Sequence, residues 1–245
     1  MDAEEILDEL TPHYRGVLLD VDGTLVDSND AHADAWVRAL REHGHDVTFE
    51  TIRPLIGMGG DNLLPAAVGL ENDSEEGKKI GERRGEIFKE LLPSITAFPG
   101  TRDLVLLLRN NGFKLAVATS APDKEVDPLL EIAEVRDLLK IQTSADDAEN
   151  SKPDPDIIRA ALGKLGLPAR ETVLLGDTRF DIEAAGKAGV KVIALRCGGA
   201  PDAELAGALA VYEDPEDLVE RFGSSPLAPG VAVSSVSPQP RQGRR

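Results

Sequence analysis

Two carboxylates two residues apart, Asp20 and Asp22, stand in the stretch Gly16-Val-Leu-Leu-Asp-Val-Asp-Gly-Thr-Leu25, directly after a short apolar run. Val17, Leu18 and Leu19 have the composition of a strand buried on both faces, and Gly23 marks its end. Residues two apart in an extended chain share a face, so both side chains point into the crevice beyond the strand's carboxyl end. Open parallel α/β sheets bind their ligands in that crevice. Two like charges placed there need a cation or a proton to relieve their repulsion. The pattern therefore calls for a metal site, an acid/base pair, or both. The same residues also suit an ordinary turn in which the aspartates bend the backbone or cap a helix.

Three later stretches place reactive residues in comparable positions. Thr119-Ser120 closes a second apolar run, Gly176-Asp177-Thr-Arg-Phe-Asp181 follows another, and Lys152 lies in Ser151-Lys-Pro-Asp-Pro155, where two prolines fix the backbone before a helix. Gathered in one crevice, these residues are an inventory for a hard, oxygen-liganded cation and a phosphoryl group. Each also has a purely structural reading. Lys152 suits an ordinary surface lysine, Thr119 a strand-end cap, and Asp181 the N-cap of a helix containing Ile182 to Lys187. Four such coincidences in order weigh toward a single site.

The elements that must position these groups follow from periodicity. Strands are expected at Phe113–Thr119, more weakly at Leu138–Thr143, and at Val173–Gly176 and Val190–Leu195, with a last one at Ala208–Tyr212. Helical patterns lie between them, such as Ile157, Ile158, Ala161, Leu162 and Leu165 after the start signal Asp154-Pro155. Strands alternating with helices predict an α/β, Rossmann-like parallel sheet with helices on both faces. After Asp27-Ser28-Asn29 the pattern turns helical, with Ala35, Trp36, Ala39 and Leu40 on one face, and it stays helical to Ile95. A block of that size is too large for a simple crossover and predicts an inserted all-helical cap domain. The expected boundaries are residues 1–27 and 98–223 for a discontinuous core, 28–97 for the cap, and 224–245 for a tail disordered by composition. Residues 1–15 read as a short acidic helix. Ser28-Asn29 and Ala97-Phe-Pro-Gly100 form the two crossings and suit a hinge.

Composition limits the partners. The 245 residues carry 27 Lys+Arg against 44 Asp+Glu, a formal charge of −17. Nucleic acid and anionic membrane surfaces would be repelled, whereas a local metal and a few basic groups can still hold a small anion in a pocket. The single cysteine, Cys197, forms no internal disulfide and reads as a structural thiol. With neither a secretory start nor an apolar run long enough to span a bilayer, the expectation is a cytoplasmic protein, monomeric or homodimeric.

Asp20-Val-Asp22-Gly-Thr24-Leu25, Thr119, Lys152 and Gly176-Asp177 with Asp181 resemble, in order and spacing, the four signature segments of the haloacid dehalogenase-like hydrolase superfamily. The resemblance covers residues 16 to about 200 and is closest to the branch with phosphoglycolate phosphatases and β-phosphoglucomutase. It implies Mg2+-dependent hydrolysis of a small phosphorylated metabolite. Asp20 would be the nucleophile and Asp22 the acid/base, lending its backbone carbonyl to Mg2+. Thr119 would bind a phosphoryl oxygen, and Lys152 would neutralise charge. Asp177 would ligate Mg2+, with Asp181 acting from behind on a metal-bound water or on Lys152. Ser120 belongs to the same phosphoryl-binding segment.

In the inserted block, His32 and Trp36 share a helix face; equivalent positions in that branch couple cap closure to the acid/base carboxylate. Gly57-Met-Gly-Gly-Asp61 resembles the loop that selects substrates. Where the mutases carry an arginine for a second phosphate, this loop offers Gly60 or Asp61, with Arg53 as a substitute nearby. Alternatives to a phosphatase are a phosphomutase and a catalytically silent binding protein of the same fold.

Overall fold

Short apolar runs ended by glycine or polar residues become the strands of one sheet. The structure is a computed structural model that describes residues 14–228. Its strands are β1 (Gly16–Leu19), β2 (Lys114–Val117), β3 (Thr172–Gly176), β4 (Lys191–Leu195) and β5 (Ala210–Tyr212). They pair in the order β2-β1-β3-β4-β5, each neighbour parallel, with Leu19 beside both Val117 and Leu175. The order reverses on either side of β1, so the crevice opens beyond Leu19 and Leu175.

Alternation along the strands divides the core between two faces. Val17, Leu19, Val173 and Leu175 belong to one apolar cluster, and Leu18 and Leu174 to the other. On the first face lie α5 (Thr101–Asn110), α6 (Asp123–Ile132) and α9 (Pro215–Glu220); on the second lie α7 (Asp156–Leu165) and α8 (Arg179–Lys187). Each buried Val, Leu or Ile there contributes about 1.5–3 kcal/mol relative to exposure. This is the α/β, Rossmann-like architecture expected from the alternation of elements.

Between β1 and α5 the chain forms four helices, α1 (Asn29–Glu42), α2 (Phe49–Ile52), α3 (Gly60–Val68) and α4 (Glu75–Leu91). Trp36, Ala39 and Leu40 of α1 pack in one cluster with Ile80, Ile87 and Phe88 of α4. Arg84 shares that buried face at helical spacing. The two crossings run side by side: Val26 bridges Ala97, the Asp27 amide donates to the Thr96 carbonyl at 2.9 Å, and the Phe98 amide to that of Leu25 at 3.1 Å.

Two boundaries differ from expectation. Leu138–Thr143 is no full strand: Ile141 makes a single bridge to Ala116, because Leu138 and Leu139 are drawn into turns on Val135. Order continues past Gly223, where Ser225 and Leu227 are buried and Leu227 joins the first cluster, so the fold reaches beyond the expected start of the tail. The expected N-terminal helix lies mostly in residues 1–13, outside the described residues, as does the tail from residue 229.

Gly100, which leads the chain from the second crossing into α5, has φ of 75°, and a Cβ there would lie 2.6 Å from the Glu216 Cα. Gly112 has a similar φ of 84° but open space around it. Gly100→Ala should therefore lower the free energy of urea unfolding by about 1–3 kcal/mol more than Gly112→Ala, the difference being the clash with α9. Equal losses would contradict the packing described.

Candidate active site

Beyond Leu19 the backbone continues its pairing for one residue, the Asp20 amide donating to the Leu175 carbonyl at 2.9 Å, and then turns. The amides of Leu25 and Gly23 close that turn on the carbonyls of Val21 and Val26. The two carboxylates consequently enter different surroundings. Asp20 receives the Lys152 ammonium on Oδ1 at 2.6 Å and the Thr24 hydroxyl on Oδ2 at 3.2 Å. Asp22 receives the Ser28 hydroxyl at 2.5 Å and lies 2.6 Å from His32 Nε2, both on Oδ1.

Lys152, only 1 % exposed, spans two acids: its ammonium also donates to Asp181 Oδ1 at 2.7 Å. The other oxygen of Asp181 accepts from the Thr178 amide and hydroxyl, forming the capping box of α8. Asp181 thus combines the helix-end role with a hold on Lys152. Asp177, at the end of β3, receives the Asn29 side-chain amide on Oδ2 at 2.9 Å and a weaker hydrogen bond from Thr24 on Oδ1 at 3.4 Å.

Electrostatics divide these groups. Burial pushes Asp20 up to about 7 against the pull of Lys152. Asp177 is raised by burial and by the charges of Asp181 and Asp20. Burial acts against the charge on Lys152, but Asp181 and Asp20 outweigh it and hold the ammonium protonated. Asp22 is also opposed by burial, yet His32, Ser28 and Arg84 prevail and keep it below the usual carboxylate range.

The residues fit a divalent metal. Asp20, Asp177 and Asp181 each offer a carboxylate oxygen, all within 4.8 Å of one another and buried. Lys152 offsets one of the three negative charges that these carboxylates carry when ionised. Asn29 Oδ1 beside them is buried without a hydrogen-bond partner. An all-oxygen set with excess negative charge is the donor chemistry of a hard cation such as Mg2+.

A cavity of about 450 Å³ opens beside Asp20, with Asp22, Thr119, Ser120, His32 and Gly57 also in its wall; Lys152, Asp177 and Asp181 lie outside that wall. Thr119 Oγ1 accepts from the Ala121 amide at 3.1 Å, and Ser120 Oγ accepts from the Lys152 amide at 3.4 Å. Trp36 belongs to the helical core and also faces the cavity. Arg53 lies elsewhere: its guanidinium donates to Asp30 and to the Gly198 carbonyl, both at 2.6 Å, leaving it outside the cavity wall. Cys197 donates weakly to the Gly23 carbonyl at 3.4 Å, and burial pushes its thiol up, as suits a packed, unreactive residue.

Several participants carry no motif. Arg84 Nη1 donates to both carboxylate oxygens of Glu125 at 2.6 and 2.7 Å, and Nη2 donates to His32 Nδ1. A guanidinium only donates, so His32 accepts at Nδ1 and donates from Nε2 to Asp22. The helical phase that puts Arg84 in line with Ile80, Ile87 and Phe88 was the available signal, since its neighbour Arg83 lies on the opposite, solvent side with Glu42 and Glu86. Asn29 was hidden in a helix start, and Thr24, within the first signature segment, had no role assigned to it.

A parallel sheet whose strand ends bring together aspartates and one buried lysine defines an α/β enzyme acting at the switch point of its sheet. Residues 17–195 match the family model described as haloacid dehalogenase-like hydrolase. The chain is 34 % identical over 190 residues to phosphoglycolate phosphatase of Yersinia pseudotuberculosis, covering 75 % of this chain and 82 % of that protein. It is 29 % identical over 181 residues to the phosphorylated carbohydrates phosphatase of Thermotoga maritima, covering 72 % of this chain and 82 % of that one. A hydrolase from Pseudomonas syringae superposes with a TM-score of 0.80 at 31 % identity, over 85 % of this chain and 97 % of its own. The chain belongs to the haloacid dehalogenase-like hydrolase family. Within it, the likeness is to the family's phosphatases.

Replacing the buried ammonium should expose how much rests on it. Lys152→Met leaves Asp20 and Asp181 without a cationic partner and should cost about 3–5 kcal/mol in chemical denaturation without added metal. A loss below about 1 kcal/mol, the scale of exposed ion pairs, would contradict the buried pairing.

Proposed function

We propose that the chain catalyses Mg2+-dependent hydrolysis of a small phosphate monoester through an aspartyl-phosphate intermediate. The observation that carries this reading is the Lys152 ammonium held between Asp20 and Asp181 in a buried pocket that also contains Asp177. Asp20 attacks phosphorus and forms the acyl phosphate while the ester P–O bond breaks. Asp22 delivers a proton to the departing oxygen; the approach of an anionic ester to the cavity raises its proton affinity from the depressed resting state. Water then attacks phosphorus, passes a proton back to Asp22 and frees Asp20. Lys152 balances charge on Asp20 and on the phosphoryl oxygens, and Thr119 and Ser120 donate to those oxygens. Asp181 orients Lys152.

Asp20, Asp177 and the Asp22 backbone carbonyl would hold Mg2+, with Asn29 fixing Asp177. The ion would supply Lewis-acid polarisation of the phosphoryl group. Residues 28–97 act as a cap domain that closes over the ester and excludes water, hinged at the paired crossings. The names of the relatives make phosphoglycolate and phosphorylated carbohydrates the first esters to try. Hydrolysis is favoured over a phosphomutase because Arg84, in the cavity wall, is committed to Glu125 and His32, and Arg53, outside that wall, to Asp30 and Gly198. Neither is free to hold a second phosphate.

Phosphate release from p-nitrophenyl phosphate and a panel of phosphorylated metabolites tests this directly. Wild type should turn over with Mg2+ and stop with a chelator, and Asp20→Asn should lower kcat by roughly 10³-fold or more. Turnover that survives chelation, or an Asp20→Asn variant near wild type, would defeat the mechanism.

Metal binding has its own readout. At a Mg2+ concentration 100 times Kd, the folded state should gain about 2.7 kcal/mol, raising Tm in wild type. In Asp177→Asn the rise should largely vanish, and an equal rise in both would remove Asp177 from the metal site.

A further inference from the structure

Ser151-Lys152 is gripped from the side of the inserted helical block as well as from the core. The Ser151 amide donates to Asp61 Oδ2 at 2.9 Å. The Asn62 side-chain amide donates to the Ser151 carbonyl at 3.2 Å and to the Lys152 carbonyl at 3.3 Å. Two adjacent side chains in the first turn of α3 thus bind both backbone polar groups of Ser151 and the carbonyl of the residue that reaches Asp20. From the core the Asp154 amide donates to the Ser151 carbonyl at 3.0 Å, and the Lys152 amide makes a long 3.4 Å contact with Ser120 Oγ.

The approach is close. A Cβ on Gly59 would collide with the Ser151 side chain, and one on Gly57 would lie 2.7 Å from Thr178 Cγ2. The segment from Gly57 to Asn62 therefore docks on two pieces of the core, the one carrying Lys152 and the one carrying Asp177 and Asp181. Behind Asp61 and Asn62, Leu63 and Leu64 are fully buried and fix the start of α3 to the helical core. The pair is consequently mounted on a rigid base, as a positioning contact requires.

We infer that Asp61 and Asn62 are positioning residues for the phosphoryl-transfer step: docking of α3 on Ser151-Lys152 sets the backbone from which the lysine reaches Asp20. Asp61, in the loop expected to select substrates, lines the cavity and also accepts from the core backbone. This deepens the phosphatase reading and rests on it. A lysine displaced by about 1 Å no longer matches the charge distribution of the transition state, a misplacement that can cost up to about 10²-fold in rate.

Isosteric exchanges separate positioning from packing, because the two hydrogen bonds run in opposite directions. Asp61→Asn retains an oxygen that can accept from the Ser151 amide. Asn62→Asp replaces a donor by a carboxylate that faces two carbonyl oxygens. With p-nitrophenyl phosphate and saturating Mg2+, Asp61→Leu and Asn62→Asp should each lose about tenfold or more in kcat with KM changed by less than about threefold, whereas Asp61→Asn should stay within about threefold of wild-type kcat. Hydrogen exchange at the Ser151 amide supplies a readout that needs no turnover: exchange should quicken in Asp61→Leu and remain slow in Asp61→Asn. Wild-type kcat in Asn62→Asp, a loss confined to KM, or unchanged Ser151 exchange in Asp61→Leu would each overturn the inference. If wild type releases no phosphate at all, the phosphatase reading fails, and the exchange experiment still decides whether Asp61 holds the segment.

Discussion

The ammonium of Lys152 is the interaction on which the rest depends. A lysine 1 % exposed would lose its proton or destabilise the fold unless acids surrounded it, and Asp20 and Asp181 do so at 2.6 and 2.7 Å. Three distant parts of the chain are thereby tied at one point: the end of β1, the segment before α7 and the first turn of α8. Burial works against the charge on the lysine, and the two acids beside it outweigh that effect. Together with Asp177 the cluster still carries surplus negative charge, which is why its chemistry points to a divalent ion as well as to a phosphoryl group.

Asp22 is held by a separate chain of contacts through His32 and Arg84 to Glu125. His32 and Arg84 come from the inserted helices, whereas Asp22 and Glu125 belong to the α/β core. Further contacts join the same two parts, Arg53 with the Gly198 carbonyl, and Asp61 and Asn62 with Ser151-Lys152. Each reaches a group beside the reacting centre. The polar ties between helical block and core are therefore concentrated where the chemistry would occur, while the apolar residues of the block run into the same cluster that covers the first face of the sheet.

Much of this was legible in the sequence, for identifiable reasons. The strands β1, β3 and β4 are continuous apolar runs because both of their faces are covered, and their alternation with helices fixed the parallel architecture. Asp20, Lys152 and Asp181 could be named because strand ends and proline- or glycine-marked turns set them apart. The segment near Ile141 was overestimated because two of its leucines pack into turns instead of pairing along β2. Arg84, Glu125 and Asn62 escaped because their significance lies in partners 41 to 90 residues away in sequence. No local pattern distinguishes buried Arg84 from exposed Arg83 except helical phase, and the loop that carries Asp61 gives no sign that this side chain also holds the core backbone.

The central claim is that the first of the two paired aspartates, charge-balanced by Lys152, takes the phosphoryl group covalently. Rapid acid quenching of the full-length enzyme with p-nitrophenyl phosphate and Mg2+, followed by peptide mass spectrometry, examines that claim most directly. The account predicts a phosphoryl adduct on the peptide containing Asp20, located on that side chain. An adduct on a different residue, or steady turnover with none at any quench time, would contradict it.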